Sequence, residues 1–212
     1  MRSLFSAYLY LLAKGACALS VSVEGAALDS APELSLRSVS GSVQIGLGIT
    51  NPGDTPEQIA FAQIAITSAP TAGSDGQLVI SPRDALASFF GTPAMDISID
   101  PSIVTLQAGG FPPGSLPAGV NGQFALLDIT APAGVSGVFE IVALPLNPLG
   151  PLSSSHWSAP GVPPLLVPYE NPARADNTIL LATVLVVPEP GCLGTLMTYL
   201  IAACCRGVRR FS

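Results

Sequence analysis

Charge is scarce in this chain of 212 residues: only 10% are Asp, Glu, Lys or Arg. Cysteine is missing from most of it, since Cys17 stands near the start and Cys192, Cys204 and Cys205 stand in the closing segment. The body therefore has no disulfide framework, thiolate metal site or cysteine nucleophile, and packing alone must hold it together. Histidine occurs once, as His156. A zinc site built from several His or Cys ligands is excluded, and any histidine-based triad must pass through that one residue. Cations are scarce as well. Arg2, Lys14, Arg206, Arg209 and Arg210 lie in the two ends, which leaves Arg37, Arg83 and Arg174 for the body. Without clustered Lys and Arg to neutralise phosphates, nucleic acid is excluded as a partner. Aromatic residues amount to 6%, and Trp157 and Tyr169 are the only Trp and Tyr of the body, so a sugar-stacking face has little to work with. Neither G-x-x-x-x-G-K-[ST] nor G-x-G-x-x-G occurs, so no nucleotide cofactor is expected.

Glycine and proline are abundant at 21 each, and hydrophobic residues reach 49%. That is too apolar for disorder and too broken for long helices, and it suits many short strands joined by turns. Apolar and polar residues alternate in "LSLRSVS" (34–40) and "VQIGLGIT" (43–50). Strand character returns at 59–67, 77–81, 95–99, 103–107, 124–130, 137–144 and 177–187. About nine strands with turn signals between them predict an all-β antiparallel sandwich. One short helix is expected over "SPRDALASFFG", with Ser81 as N-cap, Pro82 in the first helical position and Gly91 as the stop. "NPGDTPE" (51–57) reads as a turn that Asp54 is placed to cap. Residues 145–172 hold eight prolines and read as a stiff surface crossover, with "LLVPY" as an edge piece that Pro168 keeps from central pairing.

Two places invite chemistry. Serines adjoin His156 in "SSSHWS", but sequence neighbours rarely adopt triad geometry and no G-x-S-x-G elbow is present, so His156 and Trp157 read as a loop pair. Asp96 and Asp100 in "MDISID" are four apart, which puts both on one face of a strand. They could serve as a glycosidase pair or share Ca²⁺, but a solvated strand face is the plainer reading of two carboxylates without a third. No catalytic residue and no metal ligand is assigned.

The ends read as addresses. Arg2, the apolar run Leu4–Ala13 and the A-x-A-like pair Ala16 and Ala18 make residues 1–18 read as a signal peptide, with a short anchor or a misplaced start codon as the rival because Lys14 puts a charge between the apolar run and the cut. Lys14 stands where a lipobox would want Leu, so Cys17 is not a lipidation site. At the other end, Pro188 and Pro190 separate the last strand from Gly191–Cys205, fifteen residues without a charge. As a helix this segment would span roughly 22 Å, short of the roughly 30 Å hydrocarbon core, with Arg206, Arg209 and Arg210 left on the cytoplasmic side. The rival reading is a buried C-terminal helix of a soluble domain.

"VPEP", an apolar segment and an arginine-rich terminus resemble the PEP-CTERM sorting signal of exported bacterial proteins, over about the last 25 residues. The resemblance implies recognition by the membrane enzyme exosortase at Val187, Pro188, Glu189 and Pro190, with Arg206, Arg209 and Arg210 as the stop-transfer cluster. The body, through Gly122, Leu126, Ser136 and Gly137, is weakly similar to cohesin-like and carbohydrate-binding-like sandwiches. The expected organisation is a signal peptide (1–18), an extracytoplasmic sandwich of jelly-roll or cohesin-like type (19–187) and a sorting and membrane segment (188–212), with a hydrophobic helix at each end. The expected function is a non-enzymatic envelope or exopolysaccharide-matrix protein, held at the inner membrane until exosortase acts. A cohesin-like or glycan-binding module is the second reading, and a secreted hydrolase the third.

Overall fold

In a computed structural model the alternating segments become strands. It describes residues 19–24, 26, 31–38, 41–85, 88–90, 94–100, 103–145, 154–159, 166–171 and 174–188. In chain order the strands are β1 (Ser20–Val23), β2 (Glu33–Arg37), β3 (Ser42–Thr50), β4 (Glu57–Pro70), β5 (Val79–Ala85), β6 (Ala94–Asp100), β7 (Ile103–Leu116), β8 (Asn121–Thr130), β9 (Gly137–Ala143), β10 (Ser155–Ala159), β11 (Leu166–Pro168) and β12 (Ile179–Val187).

They form two sheets. The smaller runs β1-β3-β8-β5. The larger is organised around β4, whose 14 residues are paired along one edge by β7, which in turn carries β6. The other edge of β4 is shared end to end. β10 covers Gln58–Gln63, and β9 covers Ile66–Pro70. β11 extends the sheet beyond β10, while β12 and then β2 extend it beyond β9. At the junction the ladder continues through single bonds, from the Leu144 amide to the Ala65 carbonyl (2.8 Å) and from the Ser154 amide to the Leu144 carbonyl (3.1 Å).

Between the sheets lies one apolar core, because period-2 alternation sends every second side chain inward. Ile45, Leu47 and Ile49 of β3 enter it from the small sheet, and Ile64, Ile66, Ile141, Val184 and Val186 from the large one. Phe124 is the extra residue of a bulge between β3 and β8, and it is fully buried.

Each of the nine segments expected as strands contains one. The helix expected at Ser81 and Pro82 is instead β5, paired with β8 from Val79↔Thr130 to Ala85↔Ala125. A two-turn helix gains little alone, whereas this pairing satisfies the outer side of β8. Pro82 costs no ladder bond that matters, since it stands on an edge strand beside a bulge. The sheets are also not wholly antiparallel: β12 and β2 pair in parallel, Thr183↔Glu33 to Val187↔Arg37. In the 51–57 turn Asp54 is exposed, and Asn51 is the capping residue. Fully buried, Asn51 donates to the carbonyls of Thr55 (2.8 Å) and Leu116 (3.0 Å) and accepts from the Gly53 amide (3.0 Å).

Candidate functional site

The four residues expected as a sorting motif begin where the sandwich ends. Val187 is the last residue of β12, paired with Arg37, and its carbonyl accepts from the Ser38 amide (3.2 Å). Leu185 and Val187 are exposed on the outer face, and Pro188 follows, exposed and outside any strand. Proline has no amide hydrogen to continue the ladder, so pairing stops at this point. Glu189, Pro190, Arg206, Arg209, Arg210, Ala16 and Ala18 lie outside the described residues, as do both expected terminal helices. Among the described residues no helix is long and apolar enough to cross a membrane.

The carboxylate pair is carried by β6, with Asp96 opposite Gln107 and Asp100 opposite Ile103 of β7. Their side chains lie outside the described residues. Among the described residues no group of three or more His, Cys, Asp or Glu gathers as a metal site.

His156 is not in a loop. It lies in β10 between Ala62 of β4 and Val167 of β11, wholly buried, with its ring 5.2 Å from that of Tyr169. The proline-rich crossover therefore contributes two strands to the large sheet, and β11 is the edge piece expected around Pro168. Burial holds the Tyr169 phenol well above its ordinary range, with the Gln63 backbone offsetting part of that shift. Beside it, where β9 and β10 part, is a cavity of about 380 Å³ lined by Leu144, Ser154, Pro168, Tyr169, Asn171 and Ile179. Two of its polar side chains already serve the fold. Ser154 Oγ bonds the Ala65 backbone, and the Asn171 carboxamide bonds Val21.

The outward face of the small sheet carries a polar array that the sequence reading missed. Asn121 Nδ2 donates to Ser22 Oγ (2.8 Å), which lies 3.4 Å from Thr50 Oγ1. Gln123 donates to the Glu24 carboxylate, and Gln44 Nε2 donates to Asp128 Oδ1 (3.3 Å). Ser22 and Glu24 belong to the β1 end of the sheet and Asn121 and Gln123 to β8, so β3 separates them. Strands two apart are about 9.5 Å distant, and side chains meet across that gap only if the middle strand leaves room. Gly46 and Gly48 leave it: a Cβ on Gly46 would strike the Glu24 side chain, and one on Gly48 the Asn121 carboxamide. The signal was present in "VQIGLGIT", where both glycines fall on the polar phase of the alternation.

No protein-family model matches the chain, and no curated protein matches it. Comparison with solved structures does return matches. The chain is similar in fold to cohesin modules. One is the type III cohesin of the cell-surface anchoring scaffoldin ScaE of Ruminococcus flavefaciens, at 9% identity and TM-score 0.46 over 84% of this chain and 91% of that one. Another is a cohesin module of a family 33 glycoside hydrolase of Clostridium perfringens, at 10% and 0.46 over 82% and 99%. A third is the ScaC cohesin of Acetivibrio cellulolyticus, solved in complex with the ScaB dockerin, at 11% and 0.46 over 79% and 96%. The likeness is one of architecture, and no residue role is carried over from it. Of the positions expected to match, Gly122 and Leu126 lie on β8, Ser136 bridges Asp75, and Gly137 opens β9 at φ 107°, where a Cβ would strike Ser74. Of the four, Gly137 has a structural reason to be a glycine.

Proposed function

We propose that the chain is an exported, non-catalytic envelope or extracellular-matrix protein, handed to exosortase by its C-terminal motif and structural or adhesive in role. The observation that supports this reading most is the position of Pro188. The motif opens on Val187, the exposed last residue of the last strand, and continues in Pro188, exposed and the first residue beyond that strand. A protease-like enzyme requires an extended, unpaired substrate, and Pro188 with Pro190 keeps this stretch out of the ladder. The acidic body, with net charge −6 for the whole chain, is suited to remaining dissolved outside the membrane. Intact-mass measurement of the protein from cells with and without exosortase tests the reading. Loss of the C-terminal segment only when the enzyme is present is expected, and a Pro188→Ala, Pro190→Ala variant should stay uncut. Normal maturation of that variant would sink the assignment.

A second reading, a module that docks a dockerin-like protein or a glycan, is favoured by the glycine-floored polar face of the small sheet. Its carboxamides and carboxylates are pre-oriented by one another, which lowers the ordering cost of binding. Calorimetry against dockerin-type partners and a glycan array test it, with Asn121→Ala and Gln123→Ala variants as controls.

A further inference from the structure

Both β1 and the segment that covers it are bound more tightly than a four-residue edge strand requires. Leu19 is wholly buried, and every residue of β1 is buried. In its register with β3, Ser20 pairs with Thr50 and Ser22 with Gly48, so the peptide groups of Leu19, Val21 and Val23 point off the sheet. Those outward groups would form an open edge. Residues 170 and 171 and the turn at Ala26 close it instead. The Glu170 amide donates to the Leu19 carbonyl (2.8 Å), and the Ala26 amide donates to the Val23 carbonyl (3.0 Å). Asn171 takes both groups of Val21. Its Oδ1 accepts from the amide (2.8 Å), and its Nδ2 donates to the carbonyl (2.6 Å). One side-chain amide thus fills the place of a neighbouring strand's peptide.

We infer that Leu19–Val23 is a closing strand, latched by Asn171, which docks in full only after the leader ahead of it has been removed. The inference rests on the export reading for the leader, but the latch itself does not. Two physical points carry it. The latch residue is made 150 residues after its partner, so β1, whose ladder partner β3 follows it closely, must wait unlatched through most of synthesis and export. Moreover, the five residues 14–18 span at most about 17 Å when extended, so an uncut leader in the bilayer holds Leu19 within that distance of the surface. Seating Leu19 in the core then requires the whole sandwich edge to be drawn down to the membrane.

Hydrogen exchange read by mass spectrometry on the full-length protein in nanodiscs tests this. Four forms are compared: the wild type, Asn171→Ala, Asn171→Asp, and a cleavage-blocked Ala16→Leu, Ala18→Leu form. In Asn171→Ala the Val21 amide should exchange about tenfold faster or more, while the amides between β3 and β8 keep their rates. Asn171→Asp keeps the acceptor and loses the donor, so it should fall between Asn171→Ala and the wild type. In the blocked form Val21 should exchange as fast as in Asn171→Ala. Wild-type rates in Asn171→Ala would overturn the latch, and wild-type rates in the blocked form would overturn its coupling to cleavage. Intact mass separates the two premises. If residues 1–18 remain on the wild type, the export reading and the coupling both fail, and the Asn171 variants still decide the latch.

Discussion

At the residue scale, two side chains make their surroundings measurable. Gly48 is a glycine because Asn121 lies across it, so Gly48→Ala should destabilise by about 1 kcal/mol or less, a displaced carboxamide partly offset by the entropy removed from the unfolded chain. With Asn121→Ala already in place the obstacle is gone, and the same change should stabilise. A denaturation cycle over the four proteins would show that change of sign, and additivity would refute the crossing contact. Tyr169 gives a pH test. Its folded-state pKa is raised, so its contribution is fully present below the unfolded value near 10 and is lost as pH rises. Stability should therefore fall above about pH 10 with a slope approaching 1.4 kcal/mol per pH unit, and Tyr169→Phe should remove that slope. Residues 19–188 contain no other tyrosine, so with Tyr8, Tyr10 and Tyr199 replaced by Phe, tyrosinate absorbance should appear only as the protein unfolds.

At the element scale, the connections between sheets depend on single polar residues more than on strand propensity. Asn51 joins the turn after β3 to the end of β7 through three bonds, and its own backbone pairs with Val120 and Gly119. Truncating it to Ala leaves the buried Leu116 carbonyl without its donor, which should cost about 2 to 4 kcal/mol in chemical denaturation. A near-neutral result would mean that water replaces the carboxamide. Period-2 alternation made the long strands legible, because a half-buried strand writes its two faces into the sequence. What stayed illegible has physical causes. β5 carries good helix-start residues, and its state is decided by a partner about 45 residues further on, which no local signal reports. β1 directly follows the residues expected as a signal peptide and is too short to show a period. β10 and β11 sit in proline-rich sequence, where turn chemistry masks a five-residue and a three-residue strand. Asp54 was the expected cap because it lies in the turn, yet Asn51 won because a carboxamide both donates and accepts. The polar array was half visible: its glycines could be read, but the side chains that cross them come from strands about a hundred residues apart.

At the scale of the whole molecule, the two ends of the sandwich chain leave it far apart. Leu19 and Val21 are held by residues 170 and 171, and Asn171 shares a cavity with Ile179, the first residue of β12. β12 then runs eight residue steps to Val187, about 26 Å away. On the proposed export reading, a precursor anchored by both ends would be pulled flat along the bilayer, and a chain held by its tail alone after leader removal would be free to stand upright on the β12 exit. Because residues 19–190 contain no cysteine, single labels report this cleanly once Cys17, Cys192, Cys204 and Cys205 are replaced by Ser. With exosortase absent and the leader cut, a fluorophore at Leu185→Cys should be quenched strongly by lipid-borne nitroxides. One at Asp176→Cys, exposed at the opposite end of β12, should be quenched weakly. Blocking leader cleavage should raise quenching at Asp176→Cys towards that at Leu185→Cys, since the second anchor lies at its end of the fold. Equal quenching at both sites with only the tail attached would mean that the body does not rise from the membrane on β12.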